Sequence, residues 1–155
     1  MKFSATKFAV SFLVTSMAYL SPAMGADALP DEVKQGNVRY VTGGVGADAS
    51  AAFKSAAAKY PLELLFAQKA VPSDVYVAGV KVTVRQAGKT VLDAQSAGPF
   101  LLAHLPSGKY QIEAISEGVT KQQTVDIQSG KHQRVVFVWD EPGGMAKAAA
   151  GSAAK

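Results

Sequence analysis

The chain predicts a mainly β protein: a seven-strand, two-layer sandwich with a short strand–helix–strand element at its N-terminal end. Three observations lead there. Val80, Val82 and Val84 alternate with Lys81, Thr83 and Arg85, and Val135, Phe137 and Trp139 repeat the same period of two. Short turn signals rich in glycine separate the alternating runs, at Gly88, Gly108, Gly118 and Gly130. Only one stretch carries a helical period. Phe53, Ala56, Ala57 and Tyr60 fall at i, i+3, i+4 and i+7 inside an alanine-rich run.

The first 25 residues read as a secretory signal peptide. Lys2 and Lys7 give a positive start, Phe8 to Leu20 is a short apolar run, and Pro22-Ala23-Met24-Gly25 ends it with small residues. The expected cut follows Gly25, with Ala26 as second choice. A bilayer core needs ~20 apolar residues in a row, so no stable membrane anchor is expected from this run. These features place the protein in the periplasm or outside the cell. The chain of 155 residues has no cysteine, so no disulfide and no thiolate chemistry is available. Its net charge is +4. Both lysines leave with the signal and no acidic residue does, so the remainder carries 14 basic against 12 acidic groups. That near balance, with no Lys/Arg cluster, argues against nucleic acid as a partner.

Residues 26–36 are polar with one proline and read as a flexible arm. A single domain is expected over 37–139. Asn37–Thr42 is a strand. Gly43-Gly44-Val45-Gly46 follows, without the Gly-Lys-Ser/Thr of a phosphate loop or the spacing of a dinucleotide fingerprint, and reads as a tight strand-to-helix link. Asp48 is the expected N-cap of a helix over 48–60, which Pro61 stops. Leu62–Gln68 is a strand with Leu62, Leu64 and Phe66 inward. If it were the parallel neighbour of the first strand, the crossover would be right-handed.

Val75–Arg85 reads as one strand with a bulge or close approach at Gly79. Thr90–Ala94 is the next strand. Gly98 to Ile115 then reads as a hairpin, with Phe100 and Leu102 on one side of the first arm and Tyr110, Ile112 and Ala114 on the second. Leu105-Pro106-Ser107-Gly108 forms its turn, since proline presets one dihedral and glycine accepts positive φ. The residues expected to build this hairpin are Gly98, Phe100, Leu105, Pro106, Gly108 and Tyr110. Their parity slips before the turn, which suggests a bulge. Thr120–Gln128 and Lys131–Trp139 complete the sandwich. Val136 and Val138 give the last strand a second apolar face, and the helix is the expected cover. Residues 140–155 are biased to alanine and glycine and read as a disordered tail.

The run from Val75 to Trp139 resembles the transthyretin-like, carboxypeptidase-regulatory-like β-sandwich family. The resemblance lies in the Val80/Val82/Val84 strand, Gly98-Pro99-Phe100, Leu105-Pro106 with Gly108 and Tyr110, and Gly118. Over about Val38 to Trp139 the chain is similar to small exported proteobacterial proteins of that type. The matching features are Tyr40 to Gly46, the alanine-rich helix with Phe53, and the strand with Phe66. The resemblance implies a transthyretin-like or Ig-like sandwich and no established activity. The enzymatic relative of the fold, hydroxyisourate hydrolase, uses channel histidines, an arginine and a Tyr-Arg-Gly-Ser tail. Here the last strand runs Phe137-Val138-Trp139-Asp140-Glu141, so that activity is not expected.

Little chemistry is left over. The two histidines, His104 and His132, read as solvated edge residues, and a zinc site wants three or four ligands. Glu113 and Asp126 have outward parity and read as surface charge. Asn37 is the sole asparagine, far from the last strand, where an isopeptide bond would need one. Tyr76, Tyr110 and Trp139 fall mostly at inward parity. The expectation is a non-catalytic binding or accessory module with no cofactor, meeting a protein or cell-envelope polymer through a sheet edge or loops. The alternative is a small hydrolase or carbohydrate-binding domain using polar loop residues near His104.

Overall fold

The computed structural model describes residues 28–140. The predicted signal peptide, and the predicted tail beyond Asp140, lie outside the described residues. Ten strands and one α-helix follow in the order β1 (Val33–Gln35), β2 (Val38–Gly43), α1 (Ala47–Ala56), β3 (Leu62–Gln68), β4 (Val75–Tyr76), β5 (Lys81–Gln86), β6 (Lys89–Gln95), β7 (Phe100–His104), β8 (Gly108–Ser116), β9 (Val119–Ile127) and β10 (Gln133–Trp139). They form two sheets. One runs β1-β2-β7-β3-β10, with β4 on the far end of β3, and the other runs β6-β5-β8-β9. Among the described residues no helix is long and apolar enough to cross a membrane.

The two inner faces pack as the alternation requires. Leu62, Leu64 and Phe66 meet Val80, Val82, Val84, Ile112 and Val125, and Phe137 and Trp139 close the far side. Phe66 and Phe137 lie with ring centroids 6.2 Å apart. Side chains bridge the open sides of the sandwich. At one side Trp139 Nε1 donates to Val119 O at 2.9 Å and Gln123 Nε2 to Val136 O at 3.2 Å, tying β10 to β9. Two-residue turns join β5 to β6 and β8 to β9, and both residues of each have positive φ: Ala87 at 48° and Gly88 at 78°, Glu117 at 49° and Gly118 at 79°. That geometry matches the right-handed twist of hairpin strands.

Several expectations change. There are ten strands where the sequence marks eight strand runs, because β1 is too short to leave a visible alternation and Val75–Arg85 is two strands, β4 and β5. Its break holds Gly79 at φ 76°, where the chain leaves one sheet for the other. β1 falls inside the stretch read as a flexible arm and pairs with β2. β2 and β3 run parallel to each other but are not neighbours, since β7 lies antiparallel between them.

The expected hairpin is absent. β7 lies in the first sheet, between β2 and β3, while β8 lies in the second, between β5 and β9. Leu105 to Ser107 is therefore a corner from sheet to sheet. Tyr110 fixes it by donating its hydroxyl to Pro106 O at 2.7 Å. The apparent parity slip disappears with the hairpin. Phe100 and Leu102 point out towards the helix, while Leu101, Ala103 and Leu105 point into the sandwich. A continuous apolar run is what a strand buried on both faces needs.

The helix covers β2, β7 and β3. Phe53, Ala57 and Tyr60 pack on Val41, Leu65, Phe100 and Leu102. It begins before the expected cap: Gly46, not Asp48, is the N-cap at φ 90°, with no side-chain cap, and Asp48 sits inside the first turn. A carboxylate there still meets the positive end of the helix. A short 3-10 turn, Ala57–Lys59, completes the run to Tyr60. The helix does not reach β10. Val136 is 39% exposed, so the expected cover over that face is not α1. Replacing Val136 by serine should therefore cost no more than about 0.5 kcal/mol in denaturant unfolding, as for an ordinary surface site.

Candidate functional site

β1 and β6 are outer strands of the two sheets and face each other across an open side. Gln35, the last residue of β1, reaches over it. Its Nε2 donates to Asp93 O at 2.7 Å and its Oε1 accepts from Asp93 N–H at 2.9 Å. One side-chain amide thus satisfies both main-chain groups of a strand residue. Beside it lies a cleft of about 450 Å³. Gln35, Asn37, Gln86, Thr90 and Asp93 supply its polar sides, and Val38, Leu92, Pro106 and Tyr110 its apolar wall. Of these polar groups only Asp93 ionises. The volume is that of an ordinary small-ligand or peptide side-chain pocket.

The local sequence explains the placement. Gly36, at φ 56°, turns the chain tightly from β1 to β2 and leaves Asn37 exposed at the rim. The Tyr110–Pro106 bond holds the corner that forms the opposite wall. Gly108 lies against Gln86, since a Cβ there would come 2.5 Å from Gln86 Nε2. Of the six residues expected to build the hairpin, Pro106 and Tyr110 line the cleft. Gly108 and Leu105 support the corner, while Phe100 and Gly98 lie in another part of the fold, against the helix and against Gly43.

A second polar group crosses the outer face of the first sheet. Tyr60 donates its hydroxyl to Glu32 Oε1 at 2.7 Å, and its ring lies 4.4 Å from that of His104. Arg39 Nη1 is 3.6 Å and His104 Nε2 3.7 Å from the Glu32 carboxylate. On the other side His132 bonds the Tyr60 carbonyl through Nδ1 at 2.8 Å and Glu63 through Nε2 at 3.0 Å. Arg134 Nε lies 3.5 Å from the same carboxylate. The histidines are thus partnered, with side chains 35% and 31% exposed, where sequence reasoning expects solvated edges. Glu63 is buried, and sequence reasoning misses it. The available signal is a lone carboxylate inside the apolar run Leu62–Ala67, which needs cationic partners if buried. Among the described residues no cluster of three or more His, Asp or Glu could hold a metal ion. Glu113 accepts from Gln122 Nε2 at 2.7 Å and lies 3.9 Å from Arg85, while Asp126 stands opposite Lys109 and is exposed.

Tyr60 gives this group a measurable signature. Burial, then the Glu32 hydrogen bond and charge, push its pKa from 10.0 up to about 12. The unfolded chain therefore loses this proton before the folded one does. Its contribution to stability is complete below pH 10.0 and is lost as pH rises towards 12. Denaturant unfolding followed from pH 8 to 11 should show a decline above about pH 10 that Tyr60→Phe removes.

The glycine-rich link borders a second hollow, of about 510 Å³, with Lys54, Tyr76 and Pro99. Gly44 is required for closeness, since a Cβ there would come 2.4 Å from the Phe100 ring. Tyr76 is 52% exposed and not inward; it sits on the two-residue β4 and meets Phe100 edge-on at 5.8 Å.

No family model and no curated protein matches the chain. Among solved structures it is similar to 5-hydroxyisourate hydrolase of Klebsiella pneumoniae, at 18% identity and a TM-score of 0.40, with 52% of this chain and 91% of that chain covered. So slight a likeness transfers no residue role.

Proposed function

We propose that this protein is a non-catalytic binding module, transthyretin-like and exported, that recognises a protein or envelope polymer through a sheet edge and its loops. The cleft along β6 carries this reading. It offers the carboxamides of Gln35, Asn37 and Gln86, the Thr90 hydroxyl, the Asp93 carboxylate and main-chain groups beside an apolar wall, which suits recognition of a polar or extended ligand. The histidines support it from the other side, because both His132 nitrogens are bonded, to the Tyr60 carbonyl and to Glu63, and His104 Nε2 lies 3.7 Å from Glu32. The charged start and short apolar run of residues 1–25 support export. A second reading, a saccharide in the same cleft, is favoured by Gln35, Asn37, Gln86 and Thr90, whose uncharged donors and acceptors suit hydroxyl groups.

The test immobilises the full exported chain and measures retention of purified cell-wall polymer and of proteins from a periplasmic extract. Thr90→Arg, which fills the cleft from an exposed position, should abolish retention of the true partner. Retention that survives this change, or no retention of either material, overturns the reading.

A further inference from the structure

We infer that β6 is a strand-addition edge, held closed by Gln35, and that its ligand is an extended peptide segment of a partner with an apolar–basic–apolar sequence. This rests on the binding-module reading and names the ligand of the same cleft.

The Gln35–Asp93 contact carries the inference. Both main-chain groups of Asp93 point off the sheet, and both are taken by one planar amide, at 2.7 and 2.9 Å. In an antiparallel ladder, two opposite residues of a hydrogen-bonded pair exchange the same two bonds. Gln35 therefore stands where a residue of a neighbouring strand would stand. It is held by nothing more than this exposed pair of bonds among those formed by its side chain. The geometry also selects among ligands. A strand residue offers the N–H and C=O flanking one Cα, both on one side. The trans secondary amide of an acetamido sugar points its N–H and C=O in opposite directions and cannot make both bonds to Asp93.

Register then sets the sequence. Residues opposite each other share a face, so the incoming residue facing Asp93 lies beside an exposed carboxylate, and Lys or Arg complements it. Its two neighbours turn inward like Leu92 and Ala94, towards the wall formed by Val38 and Tyr110. Such strand addition uses main-chain bonds for affinity and alternate side chains for specificity.

The probe is a blocked peptide, acetyl-Thr-Val-Lys-Val-Thr-amide, titrated by calorimetry into the full exported chain. Gln35→Ala removes the internal competitor and should tighten binding by about fivefold, since the open edge no longer has to be uncovered. Methylating the main-chain nitrogen of the central lysine should weaken binding about tenfold to both proteins. That change alters no residue of the protein, so folding of a variant cannot mimic it. Glutamate in place of the central lysine should bind more weakly, and Asp93→Lys should restore it. The inference is overturned if the methylated peptide binds as well as its parent, if Gln35→Ala binds no tighter, or if Gln35→Ala dimerises without peptide. If peptide fails while Thr90→Arg still abolishes retention of cell-wall polymer, strand addition falls and the binding-module reading stands. If neither peptide nor polymer nor protein is retained, both fall.

Discussion

Gly98→Ala is expected to destabilise the domain by about 3 kcal/mol, a fall in melting temperature of roughly 10 °C. A Cβ at Gly98 would lie 2.3 Å from Gly43 O and 2.4 Å from Gly43 C. These are main-chain atoms and cannot rotate aside. Gly43 is fixed in turn, because it pairs with Phe100 across β2 and β7 and the Phe53 ring closes its other side. Thr42 Oγ1 pins the same loop, donating to Phe100 O at 2.8 Å and accepting from Ala97 N at 3.1 Å. Gly130→Ala is the control. It has open space and a φ of 74°, so it should lose only about 1 kcal/mol of backbone strain. Thermal unfolding followed by circular dichroism separates the two. Equal losses would show that the contact with Gly43 is relieved at little cost.

Phe53→Ala should cost about 3–5 kcal/mol, and the loss should be local. Phe53 is 1% exposed and stacks on Phe100 with ring centroids 5.8 Å apart. It is the one large apolar side chain that α1 itself supplies to its interface. A helix of 10 residues is too short to persist alone, even when rich in alanine. Removing the anchor should release residues 47–59 while the two sheets stay joined through their separate core. Hydrogen exchange should show early opening over that range and near-native protection in β3 and β8. Uniform loss of protection would mean that the helix and sandwich fold as one unit.

Most elements of this fold are legible in the sequence, and their partners are not. The bounds of β3 are those read from the sequence, β9 is displaced by one residue and β10 starts two residues later, and the stripe of Phe53, Ala57 and Tyr60 marks the buried side of the helix. Strand pairing is a different matter. Two strands joined by a proline–glycine turn look the same locally whether they pair with each other or step between sheets, and β7 and β8 step between sheets. The run Phe100–Ala103 holds the clue, because four successive apolar residues suit a strand covered on both sides. Val136 and Val138 carry a similar pattern, yet Val136 is exposed and Val138 only partly buried, so pattern alone does not settle what lies above a strand. The cleft is harder still to foresee. Gln35 and Asp93 are 58 positions apart, and neither belongs to a motif. Their meeting is a product of how the sheet edges are stacked.

The side-by-side placement of β3 and β10 governs the order in which this chain can assemble. These strands pair in parallel from Gln133 opposite Leu62 to Trp139 opposite Gln68. The contact closing the first sheet thus waits for residues translated some seventy positions later. A ribosome-bound fragment that stops short of β10 leaves β3 open along one flank, and the first sheet is completed only when Gln133–Trp139 has been made.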